Sequence, residues 1–331
     1  PLSSNGDALA RAHRAGAGAV VTKTIGLHAA VNPVPHIART AGGLLNTERW
    51  SDLSAERWIE REIPQACRSG AVVVASVGLT SDDVRTLARP LVEAGAAALE
   101  VVSYDGAEIA SMVEEAAGRV SVPVFAKVSA NWPDGVRVAR ACLAHGAAAI
   151  TAIDSVGPAL RFDLTSRRPL LGGHGWISGR PILPIALRVV ADIARATGCT
   201  IIGTGGVEKA DDAVEMLYAG APAGGICTAP LLHGISWFGD LSRDLAARLQ
   251  GLGFGGPADA TGAGLPALAD EPSTQEGWDF VLARAGCTDC RACVRACPYG
   301  ARSSAEAFVR ANCRGCGLCV AACPTAALTL V

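Results

Sequence analysis

Short apolar runs alternate with amphipathic stretches along most of this chain. The runs at 18–25, 72–76, 97–102, 123–128, 147–153, 200–203 and 224–228 are dominated by Val, Ile, Ala and Gly. Continuous apolar runs of this length suit strands that are buried on both faces. Between them, apolar residues recur at the spacing of a helix packed along one side. That spacing predicts helices over 6–15, 54–68, 81–95, 106–117, 134–145, 182–197, 209–219 and 237–250. Ser54 stands where a helix cap belongs, with Glu56 and Arg57 in the first turn. The segment 26–53, with Gly, Pro and Asn, and the segment 154–180, with seven glycines and prolines together, read as loops.

Strands that alternate with helices predict a parallel α/β sheet. Seven strand–helix units in succession favour an eight-stranded (β/α)8 TIM barrel whose first strand is absent. The opening of the chain at Pro1, without Met, is expected of a sequence that starts just after that strand. The alternative is an open doubly wound sheet, which wants G-x-G-x-x-G after its first strand, and that motif is missing. Composition then changes. Gly253, Gly255, Gly256, Pro257, Gly262, Gly264, Pro266 and Pro272 mark a linker. The expected organisation is a barrel over 1–251, a linker over 252–286 and a small α+β domain over 287–331.

The last stretch carries the strongest chemical signal. The spacing C-x2-C-x2-C-x3-C-P occurs twice, at Cys287, Cys290, Cys293, Cys297 and Pro298, and at Cys313, Cys316, Cys319, Cys323 and Pro324. This is the bacterial two-cluster ferredoxin pattern, in which the fourth cysteine of each run ligates the other cluster. The expected ligand sets for two [4Fe–4S] clusters are therefore Cys287, Cys290, Cys293 with Cys323, and Cys313, Cys316, Cys319 with Cys297. Zinc sites use looser spacings and disulfides need an oxidising compartment. The other four of the twelve cysteines, Cys67, Cys142, Cys199 and Cys227, read as buried free thiols. Clusters together with free thiols point to a reducing cytoplasm.

Charge adds exclusions. The net charge is −2, which gives no case for nucleic acid or an anionic membrane surface. No apolar run reaches transmembrane length and no signal peptide opens the chain.

Barrel enzymes carry their chemistry at the C-terminal ends of the strands. Here those ends offer Lys23 and Thr24, then Lys127, then Asp154 and Ser155, then Gly205 and Gly206, and finally Thr228. The two glycines, followed by a helix, suit a phosphate held by backbone N–H groups, although a Gly-Gly pair alone can be a plain turn. Lys127 ends an apolar strand, so its amine is expected at the barrel mouth rather than snorkelling along the surface. A phosphate-bearing redox cofactor in a chain with iron–sulfur clusters suggests FMN, which exchanges two electrons with an organic substrate and one at a time with clusters.

Taken together, the motifs resemble those of dihydropyrimidine dehydrogenase, in its flavin barrel and C-terminal cluster half, as in the bacterial catalytic subunit. They are A-G-A-V-V-T-K-T ending at Thr24, L-N-T-E ending at Glu48, F-A-K ending at Lys127, G-x-x-S-G ending at Gly179, R-P-I from Arg180, and T-G-G ending at Gly206. The barrel also resembles dihydroorotate dehydrogenase. The resemblance implies FMN contacts at Lys23, Thr24, Asn46, Lys127, Ser178, Gly179, Gly205, Gly206 and Thr228. It implies substrate contacts at Asn46, Glu48, Asp154 and Ser155. It further implies a homodimer that exchanges electrons with a separate NAD(P)H-oxidising flavoprotein subunit or a ferredoxin. Two departures stand out. Val102 occupies the place of the family's Asn, and Ser103, Tyr104 and Asp105 stand where the acid/base loop should be. Asp154 replaces an Asn, which marks it as the selectivity residue. The expected activity is reduction, or formation, of an activated C=C bond in a pyrimidine-like heterocycle or related carbonyl compound. Lys127 and the 103–105 segment supply the catalytic groups. The alternative is an electron-transfer subunit with no substrate of its own.

Overall fold

The structure, a computed structural model, describes residues 2–271 and 277–331, so Pro272 of the expected linker lies outside the described residues. The chain divides into two compact units, one ending at Leu268 and one beginning at Ala269.

In the first unit seven strands pair in parallel: Val20–Val21, Val73–Gly78, Ala98–Val102, Val124–Val128, Ala149–Ala152, Ile201–Thr204 and Ala223–Gly225. Each lies beside the next of these strands in sequence. A doubly wound sheet reverses its order at a switch point. No reversal occurs here, so the sheet is wound in one direction, as in a barrel. All seven apolar runs contain a strand, and the central ones are buried from both sides, whereas Val21 and most of the strand Ala223–Gly225 are exposed. Every residue of Val73–Gly78 and of Ala98–Val102 is buried. The intervening helices cover the outside. The helix Ser81–Glu93, for example, buries Val84, Leu87, Ala88 and Leu91.

The helix expected from 54 does begin at Ser54, whose side chain accepts from the Arg57 N–H. It contains a wider π turn, Trp58–Glu62. There Trp58 is fully buried and donates from Nε1 to Ser51 Oγ at 2.7 Å.

Both segments read as loops turn out to be partly sheet. Four antiparallel strands stand in the order Ile37–Thr40, Gly43–Asn46, Gly175–Gly179, Val156–Ala159. Glycine hid them. A Cβ on Gly43 would sit 2.1 Å from the Ser178 carbonyl oxygen, so the residue that permits this close strand approach is also a loop signal in sequence. The last barrel strand is shorter than expected, and Thr228 opens a helix, Thr228–His233, instead of ending a strand. Beyond 251, the helix Pro257–Ala260 buries Ala260 with Val214, Leu217 and Leu249, so this part of the expected linker packs with the first unit.

In the second unit the strand Phe280–Leu282 pairs antiparallel with Leu328–Leu330. Two short helices, Ala292–Arg295 and Leu318–Ala321, carry the buried Cys293 and Cys319. Among the described residues no helix is long and apolar enough to cross a membrane.

Asp83 ties the start of the first excursion to the barrel. Its Oδ1 accepts from Leu27 N at 2.7 Å, and its Oδ2 accepts from Thr80 N, Thr80 Oγ1 and Leu79 N. Burial alone would raise its pKa, but these donors outweigh burial and hold it below the usual carboxylate value. Because the folded pKa is depressed, this stabilisation is present above the unfolded value near 4 and is lost as pH falls through the folded pKa. We expect Asp83→Ala to cost about 2–3 kcal/mol near neutral pH. The deficit relative to wild type should shrink in acid. Chemical denaturation across pH measures both, and an unchanged midpoint at neutral pH would contradict this account.

Candidate functional site

The C-terminal ends of the barrel strands and the antiparallel sheet bring charged groups together. Lys23 Nζ lies 3.2 Å from Glu48 Oε2, and His36 Nε2 lies 3.6 Å from Glu48 Oε1. Lys127 Nζ lies 3.4 Å from Asp154 Oδ1. Burial opposes the Lys127 charge, but Asp154 and then Glu100 outweigh it and raise its pKa, so Lys127 is a fixed cation. Asp154 Oδ1 also accepts from Ser155 N at 2.7 Å. Arg180 does not approach this pair. It binds Asp212, at 3.0 Å, and Glu208 instead. Asn46, on the strand Gly43–Asn46, donates from Nδ2 to the Trp176 carbonyl at 3.2 Å. Thr24 Oγ1 lies 3.1 Å from Ser76 Oγ.

A second cluster forms beside the last two barrel strands. Thr228 Oγ1 donates to Ser178 Oγ at 2.9 Å. Thr204, which pairs with Gly225 across the strands, leads into Gly205 and Gly206. Gly205 and Gly206 have φ of +124° and +84°. A Cβ on Gly206 would lie 2.7 Å from the Leu183 nitrogen, and one on Gly179 would lie 2.9 Å from Thr228 Cγ2. Left-handed glycines, two hydroxyls and nearby cations form a donor set that fits the phosphate and ring of a flavin nucleotide.

The 103–105 segment is a tight turn. Ser103 is buried and its Oγ accepts from Asp105 N at 3.0 Å. Asp105 Oδ1 accepts from Ala107 N at 2.8 Å, so its carboxylate helps lead the chain into the next helix. Tyr104 is largely exposed, and it stands in the field of Asp154, Arg49 and Lys127. Partial desolvation by neighbouring parts of the chain first, and Asp154 next, raise its pKa. Val102 is buried.

Sequence reasoning missed four participants. Glu100 is 4% exposed and sits on the inner face of its strand, opposite Phe125 and below Lys127. A lone acid inside an apolar run was the available signal. Asn131 pins the segment after the fifth strand, donating to Ser155 O and accepting from Gly157 N. His36 had no signal beyond its residue type. Cys227, expected to be buried, is accessible, and its thiol lies in the field of Lys127, Glu48 and Lys23. Of the other three isolated cysteines, Cys142 is buried while Cys67 and Cys199 are half-buried.

In the second unit, Cys287, Cys290, Cys293 and Cys323 line one cavity. Cys297, Cys313, Cys316 and Cys319 line another. No cysteine is in a disulfide. Among the described residues no three His, Cys, Asp or Glu side chains converge on a point as one metal ion requires. Four cysteines around each cavity are a donor set that suits an iron–sulfur cluster.

Comparison with known proteins agrees with this geometry. Residues 89–249 match the dihydroorotate dehydrogenase family model, and residues 286–327 match the 4Fe-4S dicluster domain model. The chain is 41% identical over 167 residues to the catalytic subunit of dihydroorotate dehydrogenase B (NAD(+)) from Methanopyrus kandleri, covering 49% of this chain and 52% of that relative. It thus spans about half the length of that protein. It is 35% identical to the subunit of the same name from Thermoplasma acidophilum, covering 72% of this chain and 83% of the relative. It is 30% identical to that from Methanothermobacter thermautotrophicus, covering 76% and 88%. These relatives support the broader of the two resemblances, and the chain belongs to the dihydroorotate dehydrogenase family.

Proposed function

We propose that this chain is a flavin- and iron–sulfur-dependent oxidoreductase that adds or removes hydrogen across a CH–CH unit of a small pyrimidine-like ring. One observation carries the reading. A single chain contains both a barrel mouth with paired lysines beside a glycine–hydroxyl cradle and two cavities lined by four cysteines each. When bound, FMN would supply hydride chemistry and the clusters would supply one-electron steps.

The chain's own residues would divide the work as follows. Ser178, Thr228 and the N–H groups at Gly179, Gly205 and Gly206 hold the phosphate. Lys127 places a fixed positive charge at the mouth, where it favours a reduced, more negative flavin ring. Lys23, Thr24 and Asn46 complete the cofactor contacts, while Asn46, Glu48, Asp154 and Ser155 orient the substrate. Of the three loop candidates, Tyr104 suits proton donation best. Its raised pKa keeps it protonated near neutrality, whereas the hydrogen bonds of Ser103 and Asp105 are used in the turn.

The names of the relatives make dihydroorotate the first substrate to try. They also point to a separate NAD-linked subunit as the electron partner. The narrower likeness to dihydropyrimidine dehydrogenase rests on the motifs around Asn46 and Ser178 together with the cluster module. A second reading, an electron-transfer subunit without a substrate, draws on the apolar Val102 and the Asp105 carboxylate committed to a turn.

We expect anaerobically purified protein to contain one FMN and roughly eight irons per chain, as two four-iron clusters require. Flavin and iron analysis measures this, and fewer than about six irons after full reconstitution would exclude two clusters. We also expect Asp154 to disfavour uracil. A carboxylate only accepts hydrogen bonds, whereas an amide can donate to a ring carbonyl. The double variant Val102→Asn, Asp154→Asn should speed anaerobic flavin reoxidation by uracil by about tenfold or more, the scale of one unpaired buried polar group. Efficient reoxidation by wild type with no gain in the variant would show that Asp154 is not the selectivity residue.

A further inference from the structure

The second unit is an internal repeat, and the repeat is broken at one buried position. Laying Cys287 on Cys313 also lays Cys290, Cys293 and Cys297 on Cys316, Cys319 and Cys323 without a gap. The structure follows the same register. The helix Ala292–Arg295 corresponds to Leu318–Ala321, and the short turn Arg284–Gly286 corresponds to Arg310–Asn312. The left-handed residues Asp289, Arg291 and Gly300 correspond to the left-handed Gly315, Gly317 and Ala326. In this register Arg302 falls on Leu328 and Phe308 falls on Leu282. Leu328 pairs with Leu282 as Arg302 pairs with Phe308.

Both halves bury the equivalent position. Leu328 is 2% exposed and Arg302 is 4% exposed. Leu282 and Leu328 line the cavity of Cys287, Cys290, Cys293 and Cys323. Phe308 and Arg302 line the cavity of Cys297, Cys313, Cys316 and Cys319. One half thus places a cation in the wall where the other places an aliphatic side chain.

The guanidinium is held but not neutralised. It lies over the Phe280 ring at 4.4 Å and the Phe308 ring at 5.5 Å. Its Nη1 donates to the carbonyls of Ser304 and Ala305. Its Nη2 is buried with no hydrogen-bond partner, and no carboxylate within ion-pair distance answers it among the described residues. A buried charge without a counter-charge is costly, so an anionic occupant of the adjoining cavity is the partner it lacks. The other cavity has charges in its wall, but they are of a different kind. Asp289 is neutralised by Arg284 and, like Arg291, is exposed, where water screens it.

We propose that Arg302 makes the two clusters unequal, so that the one held by Cys297, Cys313, Cys316 and Cys319 has the higher reduction potential and receives the first electron. Reduction adds one negative charge to a cluster, and net charge near the cluster is one of the factors that set its potential. Backbone N–H groups do not break the symmetry. Those of Tyr299, Ala301 and Arg302 approach the Cys297 sulfur as those of Thr325, Ala327 and Leu328 approach the Cys323 sulfur. Arg302 acts through the field in the cavity, not by ligation.

The inference rests on the two-cluster reading proposed above, and the test separates the two. The experiment is an EPR-monitored redox titration of full-length protein, with the signals assigned by Cys290→Ser and Cys316→Ser and with iron measured on each sample. Wild type should show two potentials, the higher one lost in Cys316→Ser. Arg302→Leu, which copies the other half, should shift the reduction equilibrium of that cluster at least tenfold towards the oxidised form, about 59 mV for a one-electron couple. It should move the other cluster less. Arg302→Lys, which keeps the charge, should retain most of the wild-type splitting, and Leu328→Arg should raise the lower potential. Too little iron in wild type would remove the two-cluster reading itself. Full iron with potentials indifferent to Leu328→Arg and to Arg302→Leu, or moved equally at both clusters, would overturn the role of Arg302.

Discussion

A parallel sheet wound in one direction sends the C-terminal end of every strand to the same face. The site in the first unit depends on that constraint. Lys23, Lys127, Asp154, the Gly205–Gly206 turn and Thr228 are scattered over much of the sequence, yet each follows or ends a barrel strand, so consecutive pairing of strands gathers them. The chemistry needs only that the right residue types occupy those ends. Apolar burial of the central strands then holds their ends in place, because shifting one of them would disturb a close-packed core.

The antiparallel sheet adds what the barrel ends cannot. It places Asn46 and Ser178 on neighbouring strands and ends next to Glu48, which answers Lys23. Its assembly relies on contacts between residues far apart in sequence, such as Asn46 with Trp176. Asp83 and Asn131, both outside this sheet, tie its approaches back to the barrel through side-chain hydrogen bonds to backbone.

The central barrel strands were legible because burial on both faces writes an unbroken apolar run, and the cysteine module because its doubled spacing suits little besides iron–sulfur ligation. The antiparallel strands were not. They are four or five residues long, three of the four are partly exposed, and they are built around Gly43, Pro158, Gly175 and Gly179, all of which signal loops. Lys127 could be singled out because a charge at the end of an apolar strand has few places to go. Glu100 lay in the same kind of run and was passed over, although its burial beneath Lys127 helps keep that lysine charged. Thr228, expected from resemblance to be a cofactor contact, was given the wrong element, since the last strand is too short to show its boundary. In the cysteine module the eight spaced cysteines were visible at once, whereas the exchange of Leu328 for Arg302 acquires meaning only when both are seen in cavity walls.

The central claim is that hydrogen taken from a small ring compound enters this chain and leaves it as single electrons. Anaerobic mixing of the purified, cofactor-replete protein with dihydroorotate, followed optically and by EPR, tests it most directly. The account predicts bleaching of flavin absorbance, then the signal of a reduced four-iron cluster, with no other protein present. Flavin and clusters that respond to dithionite but to neither dihydroorotate nor dihydrouracil would contradict it.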